Sequence, residues 1–290
     1  MKISELFQNK SCVFSIECFP PKRTTQFAAM QQTLRRMKEL SPDFISVTYG
    51  AGGSAGGVST VEVANFLQEE LGILPLAHII CMGSDKASAT ALLEKLRAAG
   101  VSNVLALRGD RTPLRPESPD FHHASDLMAY IRQTASDMDV SGACYPEGHP
   151  EAATLLQDVA NLRYKQENGA HHLVTQLFFD NGHFYRFLNM ARKAGITLPV
   201  SAGVMPIVRR SQVERTVALS SASLPSEFTR MISRWQDDPE SLHKAGVEYA
   251  VNQLRDLIEG GADGVHLYAM NDASVAAEVY DGIRDLLPKA

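Results

Sequence analysis

With 290 residues, a hydrophobic share of 44%, a charged share of 21% and a formal net charge of -5, the chain has the make-up of an ordinary folded protein. Its length suits one large barrel or two ordinary domains, and folding can bury roughly three quarters of the extended surface. The mildly acidic balance gives no footprint for a nucleic-acid partner or an anionic membrane. Met1 to Lys10 contains no apolar run of signal-peptide length, and the longest greasy stretch, Ile73 to Met82, is too short to span a bilayer. The expectation is a cytoplasmic protein. The four cysteines form no CxxC pair and fit no zinc spacing, so packed free thiols are expected.

Taken in chain order, apolar β-branched runs alternate with helical patterns. Strands are predicted at Cys12–Phe19, Phe44–Tyr49, Leu74–Cys81, Asn103–Leu107, Val140–Tyr145, His172–Phe179, Pro199–Met205 and Gly264–Ala269. Helices are predicted at Thr25–Leu40, Val58–Leu71, Lys86–Ala99, Ala124–Ser136, Glu151–Asn168, His183–Ala194, Ser211–Leu219, Pro239–Glu259 and Ser274–Leu287. Leu34, Met37 and Leu40 form one apolar stripe, and Leu92, Leu93 and Leu96 another. Gly100, Gly169, Gly195 and Gly260-Gly261 read as helix stops, because glycine takes the left-handed conformation at little cost. Continuously apolar strands that alternate with helices imply a parallel sheet covered by helices. Eight repeats fit a closed α/β structure, the (β/α)8 or TIM barrel, as a single domain over residues 1–290. Ser220–Asp238, with Pro225 and Trp235, reads as an extra short helix before the last strand.

A doubly wound open sheet is the rival. Gly50-Ala51-Gly52-Gly53-Ser54-Ala55 follows a strand and loosely fits the dinucleotide fingerprint. That fingerprint also needs an acid at the end of the next strand to bind a ribose. The next strand ends His78-Ile79-Ile80-Cys81, so the glycines read as a loop of the barrel.

Polar residues recur at the C-terminal ends of the predicted strands, which in a barrel converge on one mouth. They are Glu17, Thr48-Tyr49, His78, Arg108-Gly109-Asp110, Tyr145 with Glu147 and His149, Gln176, and Tyr268 with Asn271. Glu17 ends a run containing Val13, Phe14, Ile16 and Phe19. A carboxylate beside so much apolar surface is costly when ionised, so it tends to keep a proton that it can later donate. Most strand-end acids face water, and that bland reading of Glu17 is set aside only because seven strands repeat the pattern. In Arg108-Gly109-Asp110, the arginine is a fixed fork of donors, the glycine allows close approach of backbone, and the aspartate adds negative charge. No HExxH, P-loop or GxSxG occurs, and the pairs His122-His123 and His171-His172 lack the spacing that puts two imidazoles on one helix face. No metal is expected.

These motifs resemble those of the methylenetetrahydrofolate reductase family. Ser15-Ile16-Glu17-Cys18-Phe19-Pro20-Pro21-Lys22 is similar to SxEFFPPK, and Ser46-Val47-Thr48-Tyr49-Gly50-Ala51 to the family's second-strand motif. Ala106-Leu107-Arg108-Gly109-Asp110 matches ALRGD, Tyr145-Pro146-Glu147-Gly148-His149-Pro150 resembles YPExHP, and Thr175-Gln176-Leu177-Phe178-Phe179-Asp180 resembles TQxFFD. The motifs stand in family order across nearly the whole chain.

The resemblance implies a bacterial-type catalytic barrel that binds FAD and lacks the regulatory domain of eukaryotic relatives. It implies that NAD(P)H passes a hydride to the flavin and leaves. Methylenetetrahydrofolate then takes its place and is reduced to 5-methyltetrahydrofolate, a methyl donor for methionine synthesis. Carried over by motif, Glu17 is the acid that opens the folate's five-membered ring, and Asp110 stabilises the resulting cation and tunes the flavin. Implied flavin contacts are Thr48, Tyr49, Ala51, His78, Arg108, Gly109, Asp110, Ala124, Tyr145, His149 and Ala152. Asp158, Asn161 and Lys165 match the positions on the adenosine and diphosphate side. Glu17, Asp110, Gln176 and Gln212 match folate contacts, with Gln176 and Thr48 also meeting the nicotinamide. Related bacterial enzymes are homo-oligomers, which is the expectation here.

The chain departs from the family pattern in four places. Cys18 replaces a phenylalanine, Ala55-Gly56-Gly57-Val58 replaces an arginine-bearing loop, Tyr164 stands where relatives often carry a basic residue, and Asp272 stands where many carry arginine. The loop motivates a reductase fed by another electron carrier or partner protein. Asp272 motivates a folate- or flavin-binding barrel without turnover, or a folate tail held by Arg209 or Arg210.

Overall fold

In a computed structural model of the chain, residues 1–49, 57–111, 116–213, 216 and 222–288 are described. Among them, eight parallel strands close into a barrel in the order β1 to β8. They are β1 (Val13–Cys18), β2 (Phe44–Val47), β3 (Leu74–Ile80), β4 (Asn103–Leu107), β5 (Asp139–Cys144), β6 (Ala170–Thr175), β7 (Val200–Val204) and β8 (Gly264–Leu267). The ring closes where β1 pairs with β8, with Ser15 opposite His266. The predicted (β/α)8 architecture is the observed one.

Successive side chains on a strand point to opposite faces. Phe14, Ile16 and Cys18 join the large apolar layer between sheet and helices. Val13 joins a separate inner cluster with Phe44, Leu76, Leu105 and Val174. Period two therefore turns Ser15 and Glu17 inward on β1, Ser46 on β2, His78 on β3, His172 on β6 and His266 on β8. All four cysteines are free and buried.

The helices on the outside include α2 (Phe27–Lys38), α3 (Thr60–Asn65, which continues as a π-helical turn over Phe66–Leu71), α4 (Lys86–Ala98), α5 (Ala124–Thr134) and α6 (Leu155–Glu167). α7 (Asn181–Lys193), α8 (Ser226–Trp235), α9 (Pro239–Glu259) and α10 (Ala273–Asp281) follow. α8 is the extra helix expected between the seventh and eighth units. The glycine stops take left-handed φ at Gly100, Gly169, Gly195 and Gly261. The predicted helix Ser211–Leu219 lies partly outside the described residues, of which 210–213 and 216 are helical. None of the described helices is long and apolar enough to cross a membrane.

Several boundaries differ from expectation, among them the end of α10, which stops at Asp281 where the pattern predicts Leu287. β6 starts at Ala170 and ends at Thr175, so Phe178 and Phe179 are buried beyond the strand, Phe178 stacked on Phe184 and Phe179 on Phe228. Aromatic packing made that loop read as strand. α6 begins at Leu155, because Thr154 caps it by accepting from the Gln157 amide. An unpredicted helix α1 (Ile3–Asn9) closes the N-terminal end of the barrel. Its Ile3 amide donates to Asn103 Oδ1 (2.9 Å), its Ser4 amide to Asp139 Oδ2 (2.8 Å), and its Phe7 ring stacks on His172 at 4.5 Å.

α9 is seated against the loop that follows β7. A Cβ on Gly246 would stand 1.9 Å from the Ile207 carbonyl oxygen. Helix propensity alone favours alanine over glycine by about 1 kcal/mol. The clash is with backbone and cannot be relieved by rotating a side chain. Gly246→Ala is therefore expected to destabilise the protein by about 2 kcal/mol or more, read as a lowered urea midpoint.

Candidate active site

The C-terminal strand ends surround one cavity of about 770 Å³, within the usual range for cofactor sites. Of the predicted site residues, Glu17, Thr48, Tyr49, His78, Arg108, Gly109, Asp110, Ala124, Tyr145, His149, Ala152, Asp158, Asn161, Lys165 and Gln176 all line it. Ala51 lies outside the described residues. Gln212 is turned away from the cavity, its Oε1 accepting from the Val208 amide at 2.9 Å within its own loop.

Glu17 is 9% exposed and sits between two imidazoles. Its Oε2 is 3.7 Å from His78 Nε2 and 3.9 Å from His266 Nε2. Each histidine is held by a serine of the neighbouring strand: His78 Nε2 lies 2.6 Å from Ser46 Oγ, and His266 Nδ1 lies 2.7 Å from Ser15 Oγ. Burial pushes His78 down to about 4, opposed by the Glu17 charge and reinforced by His266. At neutral pH His78 is thus an uncharged imidazole. Tyr268 completes this end, donating its hydroxyl to the Thr175 carbonyl at 2.6 Å. A Cβ at residue 203 would meet the Tyr268 ring at 2.5 Å, so Gly203 makes the space for that ring.

Gly109, at φ 83°, turns the chain sharply after β4, and Arg108 and Asp110 on either side of it both reach the cavity. Arg108 grips Glu151 with two parallel bonds, Nη1 to Oε2 at 2.5 Å and Nη2 to Oε1 at 2.8 Å. Hydrogen bonding from Arg108 holds Glu151 down to about 2. A smaller hollow of about 220 Å³ adjoins Arg108, bordered by Arg111, His122 and His123.

Just after β5, burial pushes Tyr145 up to about 12, and its ring meets His149 edge-on at 4.8 Å. The His149 amide donates to Asp158 Oδ2 at 3.0 Å, and burial followed by the Arg108 charge lowers the His149 pKa. Lys165 Nζ donates to the Ala143 carbonyl at 2.5 Å, and burial lowers its pKa too. Thr48 is fixed through its backbone: its amide donates to the Cys18 carbonyl at 3.0 Å, and its carbonyl accepts from Thr60 Oγ1 at 2.9 Å.

A sequence model of methylenetetrahydrofolate reductase matches residues 2–284. The chain belongs to the methylenetetrahydrofolate reductase family. A 5,10-methylenetetrahydrofolate reductase of Pectobacterium carotovorum is 29% identical over 262 residues, covering 90% of this chain and 87% of that one. A maize methylenetetrahydrofolate reductase (NADH) is 33% identical over 288 residues, covering 93% of this chain but only 48% of the relative. The chain thus spans most of the bacterial reductase and about half of the plant one. Among solved structures, an uncharacterised Clostridium thermocellum protein described as binding two copies of 5-methyl-5,6,7,8-tetrahydrofolic acid has a TM-score of 0.69 at 14% identity, covering 98% and 99% of the two chains. That likeness speaks for the barrel fold.

Two residues expected at the mouth do other work. Glu147 accepts from the Ser223 amide (3.1 Å to Oε2) and so ties the β5 loop to the segment before α8. Asn271 exchanges both amide bonds with Phe19, each at 2.9 Å, and so locks the loops after β1 and β8 together. Conversely, Glu151 lines the cavity although the motif reading of the flavin contacts does not include it, and so does Tyr164, one of the four departures from the family pattern. Glu151 was findable as the acid immediately after His149-Pro150. Of the family departures, Cys18 faces the helices, and Asp272 caps α10 while pairing with Arg209 at 2.9 Å. Arg210 pairs with Asp237 at 3.4 Å.

Because His78 titrates near 4 when folded and near 6.5 when unfolded, the unfolded chain binds the extra proton between those values. Stability is therefore full above pH 6.5 and falls as pH drops toward 4, by about 3 kcal/mol from this residue. His78→Asn should flatten that part of the profile, measured as urea unfolding free energies at pH 7, 5.5 and 4.5.

Proposed function

We propose that this chain reduces 5,10-methylenetetrahydrofolate to 5-methyltetrahydrofolate, with FAD as its cofactor and NAD(P)H as the electron donor. One juxtaposition carries the reading: a buried acid, Glu17, and an exposed one, Asp110, line the same cavity as Arg108, in a chain that matches this family from residue 2 to residue 284.

The lining suits the cofactor. Apolar and aromatic walls (Ile80, Leu105, Leu107, Tyr145, Tyr268) at the Glu17 end can cover a flat ring system, and the Arg108 fork suits a diphosphate. When bound, the flavin supplies hydride transport from the reduced nicotinamide to the folate. The protein's own part is protonation, charge and placement. Glu17 donates a proton to nitrogen 10 of the folate as that nitrogen's bond to the bridging carbon breaks. The lone pair of nitrogen 5 then holds the bridging carbon as an iminium cation, and this carbon accepts the hydride. Asp110 supplies a negative charge that favours the cation. His78 and His266 flank Glu17 at 3.7 and 3.9 Å, and Gln176 offers its amide beside the reacting ring. The methyl product suits a pathway such as methionine synthesis.

Two half-reactions test the assignment. The purified protein should be yellow and should bleach anaerobically on addition of NADH or NADPH. Glu17→Gln is expected to leave that bleaching intact while reoxidation by methylenetetrahydrofolate slows by about a hundredfold or more, followed by stopped-flow absorbance. Equal loss in both half-reactions would remove Glu17 from the proton-donor role.

A further inference from the structure

We propose that Tyr164 is the stacking platform for the adenine ring of the flavin dinucleotide. The proposal rests on the flavin reading above and extends it to the far end of the cavity.

Tyr164 lies on α6, lines the cavity, and is 60% exposed. Its ring stacks on no other ring and carries no cation among the described residues. Asn161, three residues before it, is its neighbour on the helix surface, and Asn161 and Lys165 both also line the cavity. The polar groups of α6 that line the cavity each make one contact within the protein. Asp158 accepts from the His149 amide, Lys165 donates to the Ala143 carbonyl, and Asn161 Oδ1 accepts from Gln157 Nε2 at 3.1 Å. Each keeps further donors or acceptors for the polar edge of a ligand, as an ammonium, an amide and a carboxylate each hold more than one. What Tyr164 adds beside them is an aromatic face.

A flat aromatic at the rim of a cofactor cavity recognises another flat ring by its face, and tyrosine does so at low entropic cost because it has few rotatable bonds. The isoalloxazine belongs at the opposite end, beside Glu17, where the proton is delivered. Arg108 and His149 lie in the lining along with both ends and suit the diphosphate. The adenine is then the ring left to meet Tyr164. Tyr164 is also one of this chain's departures from the family pattern: where a basic residue would serve the diphosphate by charge, this helix offers a surface for the base.

The test compares FAD with FMN, which lacks the adenosine, by fluorescence titration of flavin-free protein. Removing an aromatic that carries a base costs about five- to 150-fold in affinity. Tyr164→Ala should therefore weaken FAD by about tenfold while leaving FMN within about twofold, and Tyr164→Phe, which keeps the ring, should hold FAD within about threefold of the parent. The substituted side chain is exposed and alanine favours helix, so the variant should fold; far-ultraviolet circular dichroism verifies this. An unchanged FAD affinity in Tyr164→Ala, or an equal loss for FAD and FMN, would overturn the proposal. So would an unchanged FAD affinity together with a raised half-saturating NADH concentration, which would give the ring to the nicotinamide donor's adenine. If parent protein binds neither flavin, the cofactor reading itself fails and this proposal falls with it; if it binds both and the variant behaves as the parent, only the role of Tyr164 fails.

Discussion

Everything at the mouth depends on one ladder, the pairing of β1 with β8. It joins Val13 to Gly264 and Ile16 to Leu267, residues about as far apart in sequence as the fold allows. Without it, Glu17 would sit on an open edge. With it, Glu17 faces His266 across the seam and His78 from β3, which lies on the other side of β2. The seam is reinforced at the rim, where Asn271 takes both backbone groups of Phe19. The acid is therefore held in place by the topology as a whole. Contacts of this sequence separation carry a large loop-closure cost, which a continuous apolar layer outside the sheet must offset.

The barrel interior is more polar than an ordinary barrel core of stacked branched aliphatics. His172 lies between Ser141 (3.1 Å) and Ser201 (2.9 Å), and His78 and His266 each have a serine partner. Burial drives His172 down to about 3, so this ring too is neutral at physiological pH. As neutral imidazoles bonded to hydroxyls, His78 and His172 avoid the cost of buried charge while keeping directional contacts. The apolar residues withdraw to the lower end, where α1 seals the floor with Ile3, Leu6 and Phe7. The barrel thus grades from an apolar plug at one end to hydrogen-bonded rings, then to titratable groups at the mouth.

The pattern that made the strands legible is also what placed the site. Apolar runs, four of them preceded by glycine helix stops, give strand positions within a few residues, and period two then aims Glu17, His78 and Tyr268 inward. Where packing departs from period, reading failed. Phe178 and Phe179 extend the apolar run of β6 but belong to a loop whose rings pack on Phe184 and Phe228. The spacing of Ile3, Leu6 and Phe7 is helical, yet seven residues are too few for periodicity to stand out beside the search for a targeting segment. Partner choice was least legible of all. Sequence can show that Glu147, Glu151 and Asn271 stand near the mouth, but not that Glu151 alone among them turns into it. His266 was overlooked because, inside a strand, a histidine looks like filler until its neighbour across the seam is known.

At the mouth, two arginines are paired with the chain's own carboxylates: Arg108 with Glu151 and Arg209 with Asp272. Neither pair is sealed from water, since the Glu151 and Arg209 side chains are 49% and 68% exposed. Exposed ion pairs contribute only about 0–1 kcal/mol, because solvent screens the attraction and two long side chains lose freedom, whereas a two-bond fork such as Arg108–Glu151 is stronger. A ligand anion that reaches Arg209 therefore has little to displace, and one that reaches Arg108 must replace both bonds of the fork. The arginines also differ in what the displaced acid does next. Glu151 follows the β5 loop and is free to swing out, whereas Asp272 keeps its bonds to the Ser274 and Val275 amides as the cap of α10. The guanidinium of Arg209 must then be shared between a fixed acid and any incoming anion, while that of Arg108 can be given over entirely. The charge in the cavity is in this sense more available than the charge at the β7–β8 rim, and the distinction follows from capping chemistry at the start of one helix.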